Sequence, residues 1–234
     1  MNATLPGAQT AAGKEKPLLY KYVSYWTFPR ASWGDVDKDN AEGNQKILAP
    51  ALADGTIVGY GDDENLVHFA ERFTHANWWQ AHSRAGVMKV VEALHKGGGS
   101  SSPLLGSSTK HWDQVFVSRF YNWKAGSCRG AYGYKSTYKL KTDAPEADDA
   151  LRILSSFYVP LFERVLADGT IVEYEIDREI FHNTDSRAQL HFSFVTPRAE
   201  GLDKLNAAIR AAISENSLLG PAFGSMMVNF TPAK

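Results

Sequence analysis

The stretch Leu52-Ala53-Asp54-Gly55-Thr56-Ile57-Val58 (LADGTIV) recurs, letter for letter, as Leu166-Ala167-Asp168-Gly169-Thr170-Ile171-Val172, an offset of 114 residues. The register continues past the identity without a gap, with Tyr60 falling on Tyr174 and His68 on His182. Seven identical residues followed by in-register matches point to a duplicated unit of roughly 110 residues. In each copy the Asp-Gly pair supplies a helix stop and Thr-Ile-Val opens a strand. Duplication informs architecture and carries no chemistry by itself.

Working outward from the first copy, residues 18–28 (LLYKYVSYWTF) are rich in aromatic and β-branched side chains and end at Pro29, which predicts a strand. Residues 31–53 place Trp33, Val36, Ile47, Leu48 and Leu52 at helical spacing, with a break expected near Gly43. A short strand is expected at 56–60, an interrupted strand at 65–69 and 75–82, and an amphipathic helix at 85–96 through Val87, Val90, Val91 and Leu94. The low-complexity run 97–108 (GGGSSSPLLGSS) reads as a surface loop, and 111–121 (HWDQVFVSRFY) as the next strand. Around the second copy the same order returns. Strands are expected at 132–141, 170–174, 178–182 with 189–196, and 223–230, with helices at 145–167 (kinked at Pro160) and 199–213. The expected organisation is a disordered leader at 1–16, a first repeat at 17–125 and a second at 126–234.

Composition narrows the function classes. The chain has 234 residues, 44% hydrophobic and 12% aromatic, enough for a core in each half. Its net charge is -1, from 25 basic and 26 acidic residues, which gives no electrostatic reason to expect nucleic acid or an anionic membrane as partner. No apolar run approaches the ~18 residues a membrane span needs. Cys128 is the single cysteine, so neither an intrachain disulfide nor a thiolate metal cluster can form. Residues 2–16 lack an apolar signal region, so the start is either cytoplasmic or that of a secreted or periplasmic protein whose leader has been removed. The segment 7–14 (GAQTAAGK) has five residues between its glycines where a phosphate-binding loop has four.

The order βαββαβ gives a four-stranded antiparallel sheet with both helices on one face, the ferredoxin-like arrangement. The other face is bare and must be covered. The fold class expected is therefore α+β, with two tandem ferredoxin-like repeats closing into a pseudo-two-fold α/β barrel. In element order, internal repeat and aromatic strands, residues 18–231 resemble the dimeric α/β-barrel superfamily, which includes the antibiotic-biosynthesis monooxygenases, here in a fused form. The resemblance implies an interior that takes small aromatic or polyketide molecules or haem, in several members with no cofactor. No catalytic signature of that superfamily is matched.

Alternation along each strand nominates site residues. In 189–196, Leu190, Phe192 and Phe194 form an apolar face that belongs against helices, which turns His191 and Ser193 to the barrel. Aligning the first half with a small gap puts His75 on His191, Asn77 on Ser193 and Trp79 on Val195. By the same alignment Ala76 and Trp78 belong on the helix side. Tyr22, Ser24 and Trp26 share a face of the first strand, as do Tyr134, Ser136 and Tyr138 in the second half.

The candidate site is thus a pair of bases, His75 and His191, with Trp26, Asn77, Trp79, Tyr138 and Ser193 around the substrate. An imidazole titrates near neutral pH and can deprotonate a phenol or an acidic carbon, while Asn77 or Ser193 could steady an oxyanion. His68 and His182 are candidate rim residues. His68, His75 and His82 stand seven apart, a spacing that does not converge on strands, so no metal site is expected. Haem needs one interior histidine and is kept as an alternative, although no CxxCH attachment motif is present. The leading reading is a cofactor-independent monooxygenase or isomerase acting on an aromatic small molecule, in a monomer or homodimer. The rivals are a non-catalytic protein with a closed barrel core and a haem-binding protein.

Overall fold

The computed structural model describes residues 2–5, 16–66, 73–97, 103–141, 147–181, 189–216 and 218–229. Both copies of the repeated heptapeptide adopt the same helix-to-strand turn. The Asp54 carboxylate accepts the Thr56 N–H at 2.8 Å, and Asp168 accepts that of Thr170 at 2.8 Å. Hydrogen bonds from each threonine hold both carboxyls below the usual carboxylate range. Gly55 and Gly169 supply the left-handed backbone the turn requires, at φ +78° and +83°. The Ile57 N–H bonds Ala51 O at 3.1 Å and that of Ile171 bonds Val165 O at 3.2 Å, which swings both isoleucines inward to 1% and 0% exposure.

The chain divides into two units, one built from 2–5, 16–116 and 126–129, the other from 117–125 and 130 onward. The first contains β1 (Asn2–Leu5), β2 (Leu19–Thr27), α1 (Trp33–Gly43), a π turn (Asn44–Leu48), α2 (Ala49–Ala53), β3 (Gly59–Glu64), β4 (His75–Ala81), α3 (Arg84–Lys96), the short α4 (Pro103–Gly106), the first half of β5 (Lys110–Trp123), and β6 (Gly126–Ser127). Its strands run β5-β2-β4-β3-β1-β6, which contains the ferredoxin-like order of a βαββαβ unit. The π turn begins one residue after Gly43, where the sequence predicts a break. The helix α3 starts at Ser83, whose Oγ accepts the Gly86 N–H at 3.0 Å.

The core of this unit is a helix-facing layer of Trp79 and Ala81 packed on Leu48, Ile57, Val87 and Val90, flanked by Tyr20, Tyr22 and Tyr60. Trp79 Nε1 donates to Val87 O at 3.0 Å and so ties β4 to α3.

The second unit contains β7 (Tyr132–Leu140), α5 (Ala147–Ala167), β8 (Glu173–Phe181), β9 (Gln189–Thr196), α6 (Glu200–Glu215), α7 (Leu219–Met226), β10 (Met227–Asn229) and the last half of β5, with strand order β10-β7-β9-β8-β5. Leu190, Phe192, Phe194, Tyr174 and Ile176 pack against Leu154, Phe162, Leu166 and Leu205 of α5 and α6. The helix-facing side of β9 is therefore the one that alternation assigns. Among the described residues no helix is long and apolar enough to cross a membrane.

Several expectations are corrected. Asn2–Leu5 is not an unstructured leader but a strand antiparallel to β3; residues 6–15 lie outside the described part. The change of unit falls inside β5 rather than near residue 125, because this 14-residue strand neighbours β2 and β8 in turn. Thr56 and Ile57 belong to the turn, so β3 starts later than expected, and Asn65 and Leu66 are not strand. The expected strand 223–230 is helical through Met226. Short apolar runs do not distinguish a buried strand from a buried helix, and α7 exploits that ambiguity.

The largest correction concerns faces. β3 pairs Tyr60 with Trp79, and β8 pairs Tyr174 with Phe194, so Trp79 is the counterpart of Phe194, not of Val195. Asn77 then matches Phe192, and His75 matches Leu190. A one-residue slip reverses every side chain of a strand. His75, Asn77 and Trp79 accordingly face the helices, while Trp78 lies on the other face beneath Lys21 Nζ, 4.4 Å from its ring.

Candidate functional site

The helix-facing side of the first sheet carries a polar and aromatic patch where an apolar layer would be usual. Three strands supply it in rows. Tyr22 pairs with Trp79, Ser24 with Asn77 and Trp26 with His75 across β2 and β4. The third strand, β5, adds His111 and Asp113, two residues apart and therefore on one face. Backbone pairing of Thr109 N with Thr27 O at 2.8 Å brings these residues alongside Trp26 and Ser24.

Their side chains converge. Ser24 Oγ donates to Asp113 Oδ1 at 2.7 Å and lies 2.9 Å from His111 Nε2, which is itself 3.1 Å from Asp113 Oδ1. The imidazole of His111 lies flat on the Trp26 indole, with centroids 3.6 Å apart and planes 16° off parallel. Tyr22 completes the group. Burial, then the charge of Asp113 and a hydrogen bond to it, push its phenol far above the usual range, so it stays protonated as a donor to that carboxylate. Ser24 is 7% exposed, whereas the side chains of His111 and Asp113 are each 36% exposed. The cluster is rooted in the sheet and open to solvent at β5.

The arrangement decides between two chemistries. A serine nucleophile needs its hydroxyl to donate to one imidazole nitrogen while a carboxylate holds the other. Here Ser24 and Asp113 both meet Nε2, and the serine proton goes to Asp113, so the three do not form an acyl-transfer triad. The hydroxyl proton being committed, Nε2 must carry the hydrogen directed at this pair. Nδ1 is then the acceptor of the neutral ring, a base oriented by Asp113 and backed by Trp26.

The other sequence-nominated residues are dispersed. His75 is 2% exposed, with Nδ1 3.0 Å from Thr74 Oγ1 and its ring edge-on to Trp33 and Phe28. Asn77 donates to Asn40 Oδ1 of α1 at 2.9 Å. Trp79 is stacked on Tyr22 at 4.5 Å. Tyr138, His191 and Ser193 belong to the second unit. Tyr138 is edge-on to Phe192 and Phe223 on the helix side. His191 is 2% exposed on the opposite face, its Nδ1 2.9 Å from Thr137 Oγ1. Burial and the charge of Lys135 hold it well below the ordinary histidine range. Ser193 pairs with Lys135 and Glu175. His75 and His191 thus face opposite sides of their sheets and are not a symmetric pair. His68 and His182 lie outside the described residues. His111 and Asp113 were passed over in the sequence, although the alternation His-Trp-Asp at 111–113 announces two polar side chains on one strand face.

No family model and no curated protein matches the sequence. Solved structures do match. A candidate monooxygenase from Lactobacillus acidophilus is similar over 86% of this chain and 88% of its own, with a TM-score of 0.59 and 12% identity. One from Fusobacterium nucleatum matches over 88% of both chains at TM-score 0.54 and 6% identity. The fold is that of the dimeric ferredoxin-like α/β-barrel superfamily. A candidate chlorite dismutase with the same barrel fold covers 93% of this chain and 92% of its own at TM-score 0.50 and 9% identity.

Haem is a cofactor this barrel superfamily can imply, and the described histidines do not fit it. The Nε2 atoms of His75 and His191 have essentially no accessible surface, so no porphyrin-sized space adjoins either. His111 Nε2 is engaged with Ser24 and Asp113, and Trp26 covers a ring face. Among the described residues no cluster of three histidine, cysteine or acidic side chains is placed to hold a metal ion.

Proposed function

We propose that the first unit binds an aromatic small molecule between its sheet and α1, with Trp26, Tyr22 and the His111–Asp113 pair at the mouth, and acts on it as a cofactor-independent monooxygenase. His111 Nδ1 takes a proton from a carbon or phenol acidified by the ring. The resulting carbanion adds to dioxygen, and the hydroperoxide loses water, so a CH2 and O2 become C=O and H2O. Asp113 keeps the ring in the required tautomer, and Tyr22 and Ser24 keep Asp113 in place. The observation that carries this reading is the solvent-reaching His111 braced by a three-donor carboxylate and stacked on Trp26. The names of the solved relatives with the highest fold similarity agree with it. The duplication, and the barrel closure the sequence leads us to expect, belong to the same proposal.

The test is oxygen uptake with a panel of anthrones and hydroxynaphthalenes, followed by product mass. Replacing His111 with Ala should lower turnover about 10²- to 10⁴-fold, the usual contribution of a positioned base. Turnover at the wild-type rate in His111→Ala would sink the assignment. Calorimetric binding without turnover would leave a binding protein, and neither would favour the closed-core alternative.

A further inference from the structure

The site continues inward from β5, along a polar row beneath α1. Asp62, Asn77 and Ser24 are direct cross-strand neighbours on β3, β4 and β2, in line with Asp113 on β5. Above them α1 and the π turn hang two amides, Asn40 on Asn77 at 2.9 Å and Asn44 on Asp62 at 3.1 Å. A helix normally meets a sheet through apolar side chains. Here Val36 is the one buried residue of α1, and the contact with β4 is made by amides.

Exposure shows that this row is not sealed. Asn77 sits on an interior strand beneath a helix, yet it is only half-buried, as are Asn40, Asn44 and Asp62. Its neighbours on the same face, His75 and Trp79, are 2% and 3% exposed. Accessible surface at that position requires open space between β4 and α1. The facing groups suit an oxygen function. Asn77 gives one N–H to Asn40, which leaves its second N–H and its carbonyl oxygen, together with the NH2 of Asn40.

We propose, on the reading that the first unit holds the ligand, that Asn77 and Asn40 are specificity-determining residues that bind a hydroxyl or carbonyl at the ligand's far end. Neighbouring strands are ~4.8 Å apart, and Asn77 is two strands from Asp113, so the two polar ends of the site stand roughly 10 Å apart. The ligand class is an elongated aromatic with an oxygen function at each end. A compact single-ring phenol reaches only one of them.

Isothermal titration with two probes tests this. One is a biphenyl with a para hydroxyl on each ring, whose oxygens span about the distance derived from the strand spacing. The other is the biphenyl with a single para hydroxyl. The wild-type chain should bind the first about tenfold more tightly, and Asn77→Leu should remove that advantage while leaving the single-hydroxyl probe unchanged. Asn40→Leu, made from the helix side, should do the same and serves if Asn77→Leu lowers the melting temperature sharply. Equal binding of both probes by the wild type, or a loss shared equally by both in the variants, overturns the proposal while the site at His111 stands. Failure of either probe to bind the wild type removes the ligand site itself, and this inference with it.

Discussion

Replacing Gly86 or Gly201 with alanine should destabilise the protein, and by similar amounts, because each glycine lets a helix start lie against one copy of the repeated turn. A Cβ on Gly86 would stand 2.6 Å from Thr56 O and 2.9 Å from Ala81 Cβ. On Gly201 it would stand 2.6 Å from Thr196 Cβ and 2.9 Å from Thr170 O. Ordinary C···O contacts begin at about 3.3 Å, so the overlaps with these backbone oxygens are roughly 0.4–0.7 Å. The partners are backbone and short side chains on strands and turns, so relief means moving α3 or α6 off its sheet. Overpacking of this kind costs about 1–3 kcal/mol, from which alanine's better helix propensity subtracts up to ~1 kcal/mol. Gly34 is the control, an exposed helical glycine with no atom within 4 Å of its added Cβ, where alanine should stabilise by about 0.5–1 kcal/mol. In a chain of this size the first two variants should melt a few degrees below wild type and the control slightly above it. Calorimetric scans of the three variants decide the matter. If Gly86→Ala or Gly201→Ala melts with Gly34→Ala, the helix does not press on the turn as described.

Truncating the buried centre of either turn, Ile57→Ala or Ile171→Ala, should cost about 2–5 kcal/mol in urea titrations, since these residues are 1% and 0% exposed; a loss under 1 kcal/mol in both would contradict the packing. His191 makes a pH prediction. Its folded-state pKa is depressed, so its neutral form is favoured in the fold, and its stabilisation is complete above about 6.5 and is lost as pH falls below that value. The slope this one group adds is at most ~1.4 kcal/mol per pH unit, and His191→Gln should remove it; an unchanged slope between pH 5 and 6.5 would show that other groups set it. Asp113→Asn should leave the fold intact and lower turnover on any substrate found, with the pH profile of kcat/KM displaced, because the His111 ring loses its charged brace. Full activity with an unaltered profile would remove Asp113 from the mechanism.

The order βαββαβ in both halves, the break after Gly43 and the helix-facing side of β9 follow from local pattern. Turn chemistry and side-chain periodicity are local properties, and the chain states them directly. The LADGTIV copies belong here too, since an Asp-Gly stop before Thr-Ile-Val needs no distant partner to form. The face of β4 was not legible in the same way. Between Tyr60 and Trp79 the first half is one residue shorter than the second between Tyr174 and Phe194, and only the pairing with β3 and β8 reveals where that residue belongs. With period-two alternation, that single residue decides whether His75, Asn77 and Trp79 look toward the helices or away from them. The meeting of Ser24 with His111 and Asp113, 87 and 89 residues distant in the chain, likewise depends on β5 lying beside β2. Sequence sets which residues share a strand face; tertiary pairing sets which faces meet, and the candidate site is made entirely of such meetings.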